Sequence, residues 1–228
     1  MRHPLTLLTR EVRPITLTRT NACVLLQDLH HPFADPVLGW LAVRAHKKVL
    51  LREFDEYFSE LESVTLPITE VLNKARAVGL PVAFSCLGHR KGGGPSGFQV
   101  ATGWLWDLDG PDGRFPASWS PVAGEPVFTK PSWGALANPE VDRYLSNAGL
   151  TNVLVMGSML DFGIRQTCNE LADRDIGSLV VSDGVIALTS DARSAVTGNM
   201  GHGLTKFRTA GEVVNLLAEL ELVGSVLI

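Results

Sequence analysis

Residues 152–168 read NVLVMGSMLDFGIRQTC. Val153, Leu154, Val155 and Met156 form a continuous apolar run, the pattern of a central parallel strand buried on both faces. Gly157 breaks the run, and helical spacing begins at Ile164. A strand that enters a helix through a glycine turn sets its loop at the carboxyl edge of an open α/β sheet, where such folds keep their chemistry.

Outward from this stretch the same alternation repeats. Strands are expected at 22–27, 82–86, 127–129, 152–156 and 179–182, with an edge strand at 204–207. Helices are expected at 67–78, where Ile68, Val71, Leu72 and Ala75 share a face and Gly79 stops the turn, and at 139–147 and 164–174. A final helix at 209–220 starts on Thr209 and Glu212, a capping box. Strands alternating with helices imply right-handed crossovers, and so an α/β fold: a parallel Rossmann-like sheet inside a three-layer αβα sandwich. Its strand ends bring Asp28, Cys86, Lys130 and Gly157 to one edge.

Residues 1–20 read as an extended arm, because Pro4, Pro14 and several threonines disfavour helix; such an arm packs on a neighbouring subunit or frays. Residues 21–228 read as one domain, with an insertion at 34–65 whose charged helical pattern at 47–61 is placed to cover a site or an interface. Segment 88–125, rich in glycine, proline and tryptophan, reads as a long irregular connection, a length uncommon unless functional.

The 228 residues are 45% hydrophobic, enough for one substantial core. Twenty basic and 24 acidic residues give a net charge of −4, with the signs interspersed. That argues against nucleic acid or an anionic membrane as partner and for a small-molecule substrate. Cys23, Cys86 and Cys168 are odd in number and widely spaced, which fits neither a disulfide framework nor a zinc site and favours a reducing cytoplasm. No segment approaches the length of a membrane span. His30, His31 and His202 lack a metal-ligand spacing, so neither metal nor cofactor is expected.

Asp28 closes an apolar strand, where desolvation can raise its pKa and fit it for general acid work near neutral pH; a turn or capping carboxylate is the plainer alternative. Lys130 follows another short strand and, taken alone, reads as a solvated charge. Cys86 ends the second strand at the pocket edge, as a small core residue or as a thiol nucleophile. His89, Arg90 and Lys91 form either cationic contacts to an anionic substrate or a basic loop tip. The five tryptophans fall in irregular segments, as pocket or interface material.

Three ordered segments, covering roughly residues 22–220, resemble the isochorismatase-like hydrolase superfamily. Leu25-Leu26-Gln27-Asp28-Leu29-His30-His31-Pro32-Phe33 is similar to its D-x-Q-x-D-F signature, with Asp28 and Phe33 kept and His30 in place of glutamine. Residues 127–136, VFTKPSWGAL, resemble its V-x-x-K-x-x-x-S-A-F, with Lys130 kept. The opening stretch resembles G-x-x-T-x-x-C-V-x-x-T-A, where Gly157 takes the first glycine and Gly163 takes the nucleophilic cysteine.

The resemblance implies a catalytic pair of Asp28 and Lys130, with substrate contacts from His30, Phe33, Trp133, Met159 and Gly163; Cys86 and Arg90, at and after the end of the second strand, are further candidate contacts. It also implies a homodimer or homotetramer. True isochorismatases share the glycine; they cleave a vinyl ether to pyruvate by proton donation and need no nucleophile. Such a glycine leaves space for a bulkier substrate, and Leu87 stands where those enzymes carry a polar ligand. The leading expectation is therefore acid-catalysed vinyl ether hydrolysis with Asp28 as donor. Amide or imide hydrolysis through Cys86 or activated water is the second expectation, and a non-catalytic binding protein on a decayed scaffold the third.

Overall fold

The computed structural model describes residues 14–41, 51–200 and 204–228. Residues 1–13 of the expected arm, 42–50 of the insertion and His202 lie outside these. Strand β1 (Thr16–Thr18) pairs antiparallel with β8 (Ser225–Leu227), Thr16 opposite Leu227. The described part of the arm thus packs on the chain's own C-terminal end, a strand that its sequence did not announce.

Six strands make the main sheet: β2 (Ala22–Gln27), β3 (Val82–Leu87), β4 (Val127–Lys130), β5 (Asn152–Ser158), β6 (Gly177–Ile186) and β7 (Thr205–Arg208). They run parallel in the order β4-β3-β2-β5-β6-β7. The order reverses between β2 and β5, the point where an open parallel sheet leaves a crevice at its carboxyl edge.

Alternation along β2 and β5 sorts the core into two faces. Leu25 and Val155 pack on one face, under helices α5 (Pro139–Asn147) and α6 (Arg165–Ala172), with Val141 and Leu171. Leu26 and Met156 pack on the other, under α2 (Leu51–Ser63), α3 (Thr65–Ala77) and α8 (Ala210–Val223), with Leu61, Leu72 and Leu217. This is the three-layer α/β sandwich. Each buried aliphatic side chain contributes about 1.5–3 kcal/mol, which is why strands apolar at every position hold the centre.

Three elements depart from expectation. The segment 88–125 contains a short helix, α4 (Gly97–Thr102), capped by Ser96 and Gln99. A further helix, α7 (Ser190–Met200), buries only Val196 among its described residues, so its apolar stripe is too thin to read. After β5 the chain makes a π turn over Leu160–Ile164 before α6 begins at Arg165, where helical spacing had suggested one helix from Ile164. No helix among the described residues is long and apolar enough to cross a membrane.

Candidate active site

β2 delivers Gln27 and Asp28 to the crevice. Asp28 has φ 52°, a left-handed conformation that few residue types tolerate and aspartate is one of them. The turn sends its carboxylate toward the ends of β3 and β4, where Leu87 and Lys130 are register partners. The Leu87 N–H donates to Oδ1 at 2.7 Å, and Lys130 Nζ lies 2.6 Å from Oδ2. Both side chains are buried, at 4% exposure for Asp28 and 0% for Lys130. Lys130 also donates to the carbonyls of Ser132 (3.2 Å) and Trp133.

Such burial costs several kcal/mol per ion unless pairing and hydrogen bonds offset it. Burial is also the largest influence on the Asp28 carboxyl and pushes its pKa above the usual carboxylate range. Lys130, the Leu87 N–H and the Gln27 amide pull the other way and do not cancel it. A carboxyl poised in this way can hold a proton that the same group in water would lose.

The glycine turn after β5 approaches from the other side. Gly157 has φ 122°, and a Cβ there would collide with the Gln27 backbone, so only glycine lets β5 pass β2 this closely. The π turn then lays Gly163 against the carboxylate. A Cβ on Gly163 would sit 3.5 Å from Asp28 Oδ2 and 3.1 Å from the Trp133 carbonyl, and would overlap Gln27 Nε2. The space that glycine was expected to leave for substrate is filled by the Gln27 carboxamide. Gln27 had not been singled out from its sequence; its one signal is a polar residue ending the otherwise apolar ACVLLQ strand.

His30 is fully buried, and burial depresses its pKa to about 3, so the ring is neutral. Its Nε2 lies 3.1 Å from the Leu87 carbonyl, which can only accept, so Nε2 carries the proton. Nδ1 is buried without a hydrogen-bond partner. Phe33 and the Leu87 side chain form an apolar cluster with Trp106, beside the His30 ring. Trp133 reaches the site through its backbone carbonyl, while its ring stacks on Phe162 with centroids 4.9 Å apart. Met159 is half-buried and packs against the core under α2, α3 and α8.

Two expected contacts stand differently. Arg90 is exposed and pairs with Asp109 at 2.7 Å, lining an open cleft of about 500 Å³ with Pro95, Thr129 and Glu140. Cys86 is buried, and burial first, then the Asp28 charge, raises its pKa well above that of a free thiol. That holds the thiol protonated and opposes a nucleophilic role. Cys168 lies in the core near Ser178 and Thr205. Among the described residues no three His, Cys, Asp or Glu side chains gather as metal ligands.

The insertion contributes one residue that sequence reasoning missed. Tyr57, on α2, is fully buried; its hydroxyl donates to the Phe33 carbonyl (3.1 Å) and lies 3.2 Å from Ser158 Oγ at the end of β5. On the same helix Glu60 pairs with Arg193 of α7 at 2.8 Å and accepts the Ala187 N–H. The insertion thereby clamps the loops that follow β2, β5 and β6.

Residues 43–212 match the Isochorismatase domain family. No curated protein sequence matches the chain. Among solved structures, a cysteine hydrolase from Pseudomonas syringae pv. phaseolicola 1448A is similar at TM-score 0.77 and 15% identity, over 92% of this chain and 99% of that one. An isochorismatase family protein from Desulfovibrio vulgaris subsp. vulgaris str. Hildenborough is similar at TM-score 0.68 and 21% identity, over 87% and 99%. N-carbamoylsarcosine amidase from Thermoplasma acidophilum is similar at TM-score 0.63 and 19% identity, over 83% and 96%. At these identities the likeness speaks for the fold, and the domain match covers most of the chain: it belongs to the isochorismatase family of hydrolases.

Proposed function

We propose that the chain hydrolyses a vinyl ether of the isochorismate type, with Asp28 as proton donor, Lys130 as its electrostatic partner and Gly163 at the family's nucleophile position. The reading is carried by the Asp28 carboxyl, buried and raised in pKa, facing a residue without a side chain. The Asp28 proton goes to the terminal vinyl carbon, and the resulting oxocarbenium ion takes up water. The hemiketal then collapses to pyruvate and the ring alcohol, and the proton lost by water restores the carboxyl. Lys130 steadies the carboxylate in the interval when it has given up its proton.

Amide hydrolysis through Cys86 is the weaker reading, because its thiol is buried and protonated. A pyruvate-release assay with isochorismate on the wild type and Asp28→Asn tests the proposal. Pyruvate from the wild type, with at least a ~100-fold loss in Asp28→Asn, is expected for removal of a general acid. Equal release from both would remove Asp28 from the mechanism.

A further inference from the structure

We infer that Gln27 is a positioning residue whose carboxamide stands in the place of a side chain at residue 163, so that the two exclude each other. This deepens the proposed reading of the Asp28–Lys130 centre and rests on it for the meaning of that place. Its geometry can be tested apart from any activity.

The amide is held at both ends. Thr167 Oγ1 accepts the Ala135 N–H at 2.9 Å, so its own proton is free to donate to Gln27 Oε1, at 2.7 Å. That fixes Nε2 as the inward end, donating to the Trp133 carbonyl at 3.2 Å and acting on the Asp28 carboxylate. Gln27 and Thr167 are both fully buried, so losing these bonds would leave buried polar groups unpaired, which holds the amide in place. A Cβ on Gly163 would overlap this Nε2 while lying 3.5 Å from Asp28 Oδ2. The amide therefore occupies the space in which a residue-163 side chain would meet the carboxylate, and it shares the Trp133 carbonyl with Lys130. The pair commits the centre to proton transfer: covalent chemistry at 163 is excluded by an occupied volume as well as by the missing thiol.

The test is a two-by-two set in the full chain: Gly163→Ala and Gln27→Ala, alone and together, followed by thermal unfolding. Gly163→Ala is expected to lower Tm by several degrees in the wild-type background and by clearly less beside Gln27→Ala. Additive losses, or a double variant that does not fold while both singles do, would overturn the inference.

A reactivity readout runs in parallel. With Gly163→Cys, iodoacetamide labelling is followed by peptide mass spectrometry at the introduced thiol. Labelling is expected to be about tenfold faster when Gln27→Ala is also present, because the thiol gains the amide's space. Equal rates would show that Gln27 does not guard the position. Neither readout needs pyruvate, so failure of the vinyl ether proposal and failure of this inference are distinguishable.

Discussion

His30 and Asp28 sit two residues apart, and burial moves both toward their uncharged forms. For Asp28 this means a proton held longer; for His30 it means a proton refused. The His30 pKa falls from 6.5 to about 3, so its neutral burial stabilises the fold fully above pH 6.5, and that stability is lost as pH falls from there toward 3. Chemical denaturation of wild type and His30→Leu at pH 7 and pH 5 should show the wild type losing more on acidification, by up to about 1.4 kcal/mol per pH unit. Parallel losses would mean that His30 is solvated. The cysteines make a second expectation: all three are buried with thiol pKa values raised by burial, so a thiol reagent at pH 8 should label none of them until the protein unfolds. Fast labelling of Cys86 in the native state would reopen the thiol mechanism.

At the scale of elements, what could be read from the chain was what its packing demanded. β2 is buried at every position and was legible at both ends; α5 spans the expected 139–147, and α8 carries both capping-box bonds between Thr209 and Glu212. α7 was not legible, because apart from Val196 its docking rests on polar bonds, from Arg193 to Glu60, Ser182 and Val185 and from the Ser190 N–H to Glu56, and these leave no period in the sequence. β6 ran past its expected end through a register shift against β5, where Ser182 and Asp183 leave the buried pattern. The insertion helix α2 was legible as a helix, but the Tyr57 hydroxyl bonds across the fold to residues it does not neighbour in sequence. Tyr57→Phe is expected to cost about 1–3 kcal/mol by leaving buried polar partners unpaired, measured by denaturant unfolding. A cost near zero would show that the clamp does not depend on this hydroxyl.

Over the whole molecule, the strand order decides which residues can meet. Asp28, Cys86, Lys130 and Gly157 lie at the ends of four strands that are neighbours in one sheet, so alternation and parallel pairing were enough to place them at one edge. The same logic could not reveal that the Gln27 amide fills the gap over Gly163, because that depends on side-chain hydrogen bonds to Thr167 and Trp133 set by tertiary packing. Nor could it show that the Arg90 guanidinium pairs with Asp109, since that contact joins two parts of one irregular loop.

A site assembled this way should act through a protonated carboxyl, and its rate should fall as pH rises through the raised Asp28 pKa. The most direct measurement is hydrolysis of isochorismate in D2O, with the pyruvate analysed by mass spectrometry. The account predicts pyruvate carrying one solvent deuterium on its methyl carbon, formed by the wild type and reduced at least ~100-fold in a folded Asp28→Asn. Absence of pyruvate from the wild type, or release that Asp28→Asn leaves unchanged, would contradict it.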